Sequence, residues 1–332
     1  MSDRSAEIAA FLNGAGWADA AQVPLAGDAS ARRYLRLKTR AGAQAILMDD
    51  PARDTDRFAR VARHLHTLGL SAPNILASDP ASGLMLLEDL GDAILAPLCA
   101  DTPDVERTVY EAAVDVLIAL HRSPAPPWAT PFDAAVMAEQ ATLVLPWYAG
   151  THADADAFET LLRTRLTRLD TTAPVLLLRD YHAENLIWLP DRAGVARIGL
   201  LDFQDAVAGH PAYDLASLIA DARRDLAPGL GDHLTGYYAQ ETGYDPDALS
   251  REVATLSVQR CLRILGIFTR LSLRDGKAHY VDLIPRVWRQ LTTALENCND
   301  PVLKDSILAQ LPPPDTAHLA RLTNRCRTQP TP

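Results

Sequence analysis

The densest polar cluster in apolar surroundings is Arg179-Asp180-Tyr181-His182-Ala183-Glu184-Asn185, directly after the apolar run Val175–Leu178. Seventeen residues past Asn185 stands Asp202, in Leu201-Asp202-Phe203-Gln204-Asp205, and further on comes Tyr213-Asp214-Leu215-Ala216. An apolar strand that ends in Asp, loops and resumes after Asn puts both side chains at the strand mouth. A second apolar strand ending in Asp202 can set another carboxylate beside Asn185. One Asp to take a proton, with an Asn and an Asp converging, is the set that metal-assisted phosphoryl transfer requires. Mg2+ takes oxygen ligands and keeps phosphate oxygens in its shell. The protein's share is then positioning and charge neutralisation.

The elements that must position these residues follow from spacing. Arg33–Leu37 and Gln44–Met48 read as strands joined by a tight turn at Thr39–Gly42. Phe58, Val61, Leu65 and Leu68 recur at helical spacing over 55–69, with Gly69 as the stop. Gly83–Leu87 is an apolar strand running into Glu88-Asp89-Leu90-Gly91-Asp92, the expected lobe boundary. Beyond it the chain is mainly helical: Thr102 to His121, 133–148 and 155–169. Val175–Leu178, Asn185–Leu189 and Ala196–Leu201 are short β-like runs, after which helices return from Asp214. The Pro- and Thr-rich tail after Pro312 is expected to fray.

Asp180 with Asn185 resembles the catalytic loop of the protein-kinase-like fold, and Asp202-Phe203 resembles its second metal-binding motif. Together with Tyr213-Asp214-Leu215-Ala216-Ser217-Leu218, these blocks resemble the aminoglycoside and choline phosphotransferase superfamily. More narrowly they resemble the anomeric amino-sugar kinases of cell-wall recycling. Further matches are Gly27-Asp28-Ala29-Ser30, Leu87-Glu88-Asp89-Leu90-Gly91-Asp92, and Gln259-Arg260 through Gly266-Ile267-Phe268 to Lys277. The resemblance covers about residues 20–295. It implies a two-lobed α+β fold, with a small β-rich N-terminal nucleotide-binding lobe (1–88) and a large mainly α C-terminal catalytic and substrate lobe (89–332).

The resemblance also implies roles. Asp180 would orient the acceptor hydroxyl and take its proton as the γ-phosphoryl leaves ATP. Asn185 and Asp202 would hold Mg2+. His182 would stand near the transferring phosphate, or else be a loop histidine bonded to backbone. Asp214 would accept backbone N–H groups of the catalytic loop. Asp205 is either a substrate contact or loop support. ATP would lie in the cleft, its adenine near Glu88 and Leu90, with Ser30 in the phosphate-covering turn. Two departures stand out. Gln44–Met48 lacks the Lys that relatives place on the nucleotide phosphates, and helix 55–69 lacks an interior Glu to pair with it. Arg32, Arg33 and Arg36 are the candidate replacements. Leu178 occupies a position where the pattern often has His, a change expected to affect packing.

On the acceptor side, Glu139 and Trp147 suit a substrate wall. Arg260, Arg263, Arg270 and Arg274 fall within an arc of about 80° on one helix. They read as a solvated basic face or, for Arg260 and Arg263, as partners for the lactoyl carboxylate of N-acetylmuramate. The expected reaction is ATP- and Mg2+-dependent phosphorylation of the C1 hydroxyl of N-acetylmuramate and N-acetylglucosamine, feeding peptidoglycan recycling. The alternatives are a kinase for an aminoglycoside or choline-like alcohol, and a non-catalytic nucleotide-binding protein on the same fold.

Composition sets the outer bounds. With 332 residues, 48% of them hydrophobic, the chain can bury a core without staples. A net charge of −10 argues against a nucleic-acid partner, which would need a basic surface. The four cysteines show no metal-ligand spacing. Met1–Leu12 has no signal-peptide core, and no apolar run reaches the length of a membrane span. A cytoplasmic monomer acting on a small sugar is expected.

Overall fold

The computed structural model describes residues 3–25, 32–150, 154–169 and 173–327. Its elements run α1 (Asp3–Gly14), β1 (Ala21–Pro24), β2 (Arg33–Lys38), β3 (Gln44–Asp49), α2 (Thr55–Thr67), β4 (Ile75–Asp79), β5 (Leu84–Glu88), α3 (Leu95–Asp101) and α4 (Glu106–His121). They continue with α5 (Ala134–Ala141), α6 (Ala155–Leu166), β6 (Val175–Leu177), β7 (Leu186–Trp188), β8 (Ile198–Leu200), β9 (Val207–Gly209) and α7 (Ala212–Ile219). The last are α8 (Leu230–Thr242), α9 (Pro246–Leu273), α10 (Ile284–Asn297), α11 (Pro301–Gln310) and α12 (Thr316–Asn324). The expected α+β class holds, with a smaller β-rich lobe and a larger, mainly helical one. Two compact units form: Met1–Pro103 with Glu184–Asp205, and Asp104–Ala183 with Ala206–Pro332.

The first unit is built on an antiparallel five-stranded sheet in the order β1-β2-β3-β5-β4. Strand alternation gives the sheet two distinct faces. Leu37, Ala45, Leu47, Leu84 and Leu86 are buried with Leu12 of α1 on one face. The register pairs Tyr34 with Met48 and Arg36 with Ile46 on the other. The β2–β3 turn closes where expected, with the Gly42 N–H on the Thr39 carbonyl at 3.0 Å. Helix α2 ends at Thr67. Gly69 takes φ +73° and lets the Leu70 N–H reach back to the Leu65 carbonyl at 3.0 Å. The β7–β8 ribbon pairs Leu186 with Leu200 and Trp188 with Ile198. It is sewn to the rest of the unit by the Leu200 N–H on the Ser71 carbonyl and the Trp188 N–H on the Ala93 carbonyl, both 2.8 Å.

The second unit is organised by α9, a helix of 28 residues whose N-cap Asp245 accepts from the Ala248 N–H at 2.7 Å. Three expectations are corrected here. The helix expected over 133–148 stops at Ala141, and Trp147 lies in a separate π-helical turn, Leu145–Ala149. Pro146 inside that stretch has no N–H for the α ladder, and Gly150 at φ +72° closes the rewound turn. The helix expected over 155–169 tightens into a 3-10 turn at Thr167–Leu169. The tail after Pro312 is helical over α12, capped by Asp315 on the His318 N–H at 2.7 Å, with His318 and Leu322 buried.

Candidate active site

The sequence-predicted site residues fall on both units, and each set has its own geometry. In the second unit β6 pairs with β9 and delivers the chain to Leu178. The Asp214 carboxylate, 0% exposed, accepts the N–H groups of Leu178 at 2.6 Å and Arg179 at 2.9 Å. Asp214 thus holds the start of the loop that carries Asp180, as the resemblance implied. Arg179 takes φ +68°, a conformation an L-residue keeps only when its surroundings impose it. Its carbonyl accepts from Ser217 Oγ at 3.1 Å and from Arg260 Nη1 at 3.0 Å. Tyr181 is buried, with its hydroxyl on the Ala113 carbonyl at 2.8 Å. Asp180 is therefore carried by a loop pinned on both sides.

The charges around this loop separate its groups. Burial pushes the Asp180 carboxyl up, but Arg263, Arg260, His182 and Arg179 outweigh it and hold it below the ordinary carboxylate range. Asp214 lies deeper. Burial raises it to about 6, against the two N–H bonds and Arg260 that pull it down. Burial also lowers the His182 imidazole. Asp221 and Asp180 oppose that shift, while Arg223 and Arg260 reinforce it. Arg260 does not belong to a solvated face. It is 4% exposed and its guanidinium carbon lies 5.0 Å from the centroid of the Tyr213 ring. Arg263 acts on Asp180 through its charge, whereas Arg274 pairs with its neighbour Asp275 at 2.6 Å. Glu139 is exposed on α5, and Trp147 is half-buried in the π-helical turn, so the two belong to different elements.

In the first unit the ribbon register sets the metal candidates at one end. The Leu201 N–H bonds the Asn185 carbonyl at 2.9 Å, and Asp202 follows at φ +54°. Gln204 Nε2 donates to Asp202 Oδ1 at 2.7 Å and so orients the carboxylate. Phe203 is fully buried against Phe58 of α2, ring centroids 4.8 Å apart. An amide oxygen and a carboxylate are hard donors that fit Mg2+. Among the described residues no three His, Cys, Asp or Glu side chains form a metal cluster.

The arginine candidates separate by face. Arg32 Nε donates to the buried Asp50 at 3.0 Å and feels the charge of Asp205. Tyr34 feels both Arg32 and Asp202. Arg33 projects to the opposite face, where it pairs with Asp49 beside Arg4 of α1. Arg36 pairs with Asp89 and Asp92, each at 2.7 Å. Asp205 pairs with Arg57 of α2 at 3.0 Å. Glu88 is held by Asn74 Nδ2 at 2.6 Å and by Arg192 at 2.5 Å. Leu90 packs where Gly199 leaves room, since a Cβ there would meet Leu90 Cδ1 at 2.9 Å. Ser30 and its turn lie outside the described residues. Gln204, Ser217 and Arg57 escaped the sequence reading. Only Ser217, one turn past Asp214, left a trace in the spacing.

Comparison with known proteins decides the family. Residues 21–250 match the model of the phosphotransferase enzyme family, APH. The chain belongs to that family. This phosphotransferase is 38% identical to an N-acetylmuramate/N-acetylglucosamine kinase of Caulobacter vibrioides, over 92% of this chain and 95% of that protein. It is 32% identical to a protein of the same name from Pseudomonas aeruginosa, over 90% and 91% of the two chains. Among solved structures, a choline/ethanolamine kinase family protein from Mesorhizobium loti superposes with a TM-score of 0.63 at 18% identity, over 97% of this chain and 99% of that one. An ADP-bound aminoglycoside phosphotransferase gives 0.60 at 17% identity, over 88% and 99%. The phosphotransferase therefore has the two-lobed α+β protein-kinase-like fold and acts on an alcohol acceptor.

Proposed function

We propose that this phosphotransferase transfers the γ-phosphoryl of ATP to the anomeric hydroxyl of N-acetylmuramate and N-acetylglucosamine, for peptidoglycan recycling. One observation carries the chemistry: Asp180 is held ionised by four cationic or polar neighbours on a loop that Asp214 fixes. A carboxylate held low is a weak base, matched to a hydroxyl more acidic than an ordinary alcohol, as an anomeric one is. The choice of sugar is supported by the two relatives of that name, which align over nine-tenths of this chain.

In this reading Asp180 accepts the hydroxyl proton, and His182 donates a hydrogen bond near the transferring group. Asn185 and Asp202 hold Mg2+, which when bound neutralises phosphate charge. Gln204 fixes the Asp202 carboxylate. Arg32 takes the place of the missing strand lysine, and Glu88 and Leu90 border the nucleobase within a nucleotide-binding lobe (1–88). Arg260 orients the loop, and Arg263, Glu139 and Trp147 belong to the acceptor side, in the lobe spanning 89–332. Asp205, shared between Arg57 and the field of Arg32, supports the loop after Asp202. Four free thiols, two of them buried, fit a reducing cytoplasm. The exposed large apolar residues Val23, Leu76 and Val302 stand singly on separate elements, which suits a monomer. No helix among the described residues is long and apolar enough to cross a membrane.

The test is ADP release from Mg·ATP with N-acetylmuramate, N-acetylglucosamine, glucosamine, kanamycin and choline, with phosphorus NMR on the product. An anomeric phosphate resonance with the first two sugars is expected. Turnover with kanamycin or choline alone would move the acceptor to another alcohol. ATP binding without turnover of any acceptor would favour the non-catalytic reading.

A further inference from the structure

Arg179 stands between the end of β6 and Asp180 in a backbone conformation that an L-residue resists. The Asp180 N–H reaches back over it to the Leu178 carbonyl at 2.9 Å, and Arg179 takes φ +68°. A hydrogen bond that spans a single residue of positive φ makes a γ-turn of the rare, strained kind. Glycine adopts such a φ freely, whereas a Cβ crowds the neighbouring carbonyl. The direction in which Asp180 leaves the strand therefore depends on what holds Arg179.

Its backbone is held from both sides: the N–H donates to Asp214, and the carbonyl accepts from Ser217 and Arg260. The side chain is gripped separately. Its guanidinium carbon lies over the Phe132 ring, 5.3 Å from the centroid, and its buried Nε has no hydrogen-bond partner among the described residues. Phe132 is buried and mounted on β9, its N–H on the Ala208 carbonyl at 2.7 Å. Strand β9 is the partner of β6, so one ribbon carries both the ring and the turn. The Phe132 ring meets Tyr213 edge to face, centroids 5.1 Å apart and planes at 86°. Tyr213 in turn carries the Arg260 guanidinium at 5.0 Å. Two rings thus lie between two guanidinium groups, and Arg260 closes the circuit on the Arg179 carbonyl at 3.0 Å.

We propose that Arg179 and Phe132 are positioning residues for phosphoryl transfer, their cation–ring contact holding the strained turn that aims the Asp180 carboxylate at the acceptor hydroxyl. The inference rests on the role proposed above for Asp180, and not on which alcohol is the acceptor. Arg179→Ala and Arg179→Gly both remove the guanidinium and its charge beside Asp180, so the difference between them reports the backbone. Alanine keeps the strain of φ +68° without the grip, whereas glycine relieves it. The kcat of Arg179→Gly should exceed that of Arg179→Ala at least about 5-fold, the population ratio at the lower end of the cost of such a conformation. KM for ATP should be alike in the two. Phe132→Leu should lower kcat about 5- to 30-fold, the size of one partly desolvated cation–π contact. The same change should cost less than about 2-fold where residue 179 is already glycine, because no cation is left to grip. Equal kcat in the alanine and glycine variants overturns the inference even if their Tm values differ, since a merely structural strain would move Tm alone. Equal losses from Phe132→Leu in the two backgrounds overturn it as well. Should Phe132→Leu not fold, the alanine and glycine pair decides alone. Near-normal turnover of Asp180→Asn would sink the role of Asp180, and this inference with it. An inactive Asp180→Asn beside equal alanine and glycine variants sinks the inference only.

Discussion

Replacing Asp214 by Asn keeps the side chain's shape and removes its charge, which sets two effects against each other. Raising the carboxyl from 3.8 to about 6 corresponds to about 3 kcal/mol of unfavourable ionisation in the folded chain at neutral pH. Asn removes that penalty. It also turns an NH2 group toward one of the two backbone N–H donors now bonded at 2.6 and 2.9 Å, and a lost bond that strands a buried donor costs about 1–3 kcal/mol. The two nearly offset, so the net change in stability should stay within about 2 kcal/mol, or about 4–8 °C in Tm. Activity should not be spared. The loop bearing Asp180 would lose half its anchor, and a displacement near 1 Å can cost about 100-fold in rate.

The pH dependence gives the sharper reading. Because the folded-state pKa is raised, the stability that Asp214 contributes is fully present below pH 3.8 and is lost as pH rises through about 6. Wild-type minus variant stability should therefore fall by about 3 kcal/mol between pH 4 and 7, and lie flat above. Wild-type kcat should move the other way, rising through pH 6 as the carboxylate that accepts both N–H groups forms. Urea midpoints and kcat, measured for both proteins from pH 4.5 to 8, test this. A variant with wild-type kcat would refute the anchoring role. A stability loss above about 5 kcal/mol, independent of pH, would refute the energetic argument, since it exceeds what the bonds alone supply.

Four other outcomes are expected. Asp180→Asn should lower kcat at least about 100-fold while Mg·ATP binding by calorimetry stays unchanged, and near-normal turnover would displace Asp180 as proton acceptor. Asp202→Asn should weaken Mg·ATP binding itself. Gln204→Leu should raise the Mg2+ needed for half-maximal rate about 10-fold, as loss of a group orienting a metal ligand does; no change in either titration would remove Mg2+ from this pair. Gly266→Ala places a Cβ 2.7 Å from the Leu143 carbonyl carbon and 2.8 Å from the Val144 nitrogen. Neither backbone atom can yield cheaply, so a loss of about 1–3 kcal/mol is expected by thermal unfolding, and an unchanged Tm would show that α9 can shift.

What the sequence revealed was what is local. Asp180, Asn185, Asp202 and the anchoring Asp214 are each marked by a strand end and a fixed spacing, and the structure places them beside the ends of β6, β7, β8 and at the start of α7. What it concealed depends on alternation and on distant packing. Arg32 and Arg33 are equivalent as letters, but one step along a strand turns a side chain to the opposite face. Only the pairing of Arg33 with Asp49 shows which face each takes. Strand β1 is exposed along its whole length and gives no hydrophobic signal. The tail reads as coil until Tyr148 Oη is seen donating to the Pro312 carbonyl at 2.7 Å, and α12 packs beyond it.

The charge balance of the second unit follows from the same placement. The chain carries a net charge of −10, yet Asp180 is surrounded by Arg179, Arg260 and Arg263. Asp214, four residues before Leu218 on a buried helix, receives mainly desolvation. Two carboxylates on neighbouring backbone are thus driven in opposite directions, one held below the ordinary range and one lifted toward neutrality. Arg260 connects them: it lowers both, bonds the Arg179 carbonyl and stacks on Tyr213. A lysine could supply the charge but not the planar fork that bonds and stacks at once. The helical arginine stripe is therefore better understood as one buried strut, Arg260, and a second charge, Arg263, that also acts on Asp180, while Arg274 pairs with its neighbour Asp275.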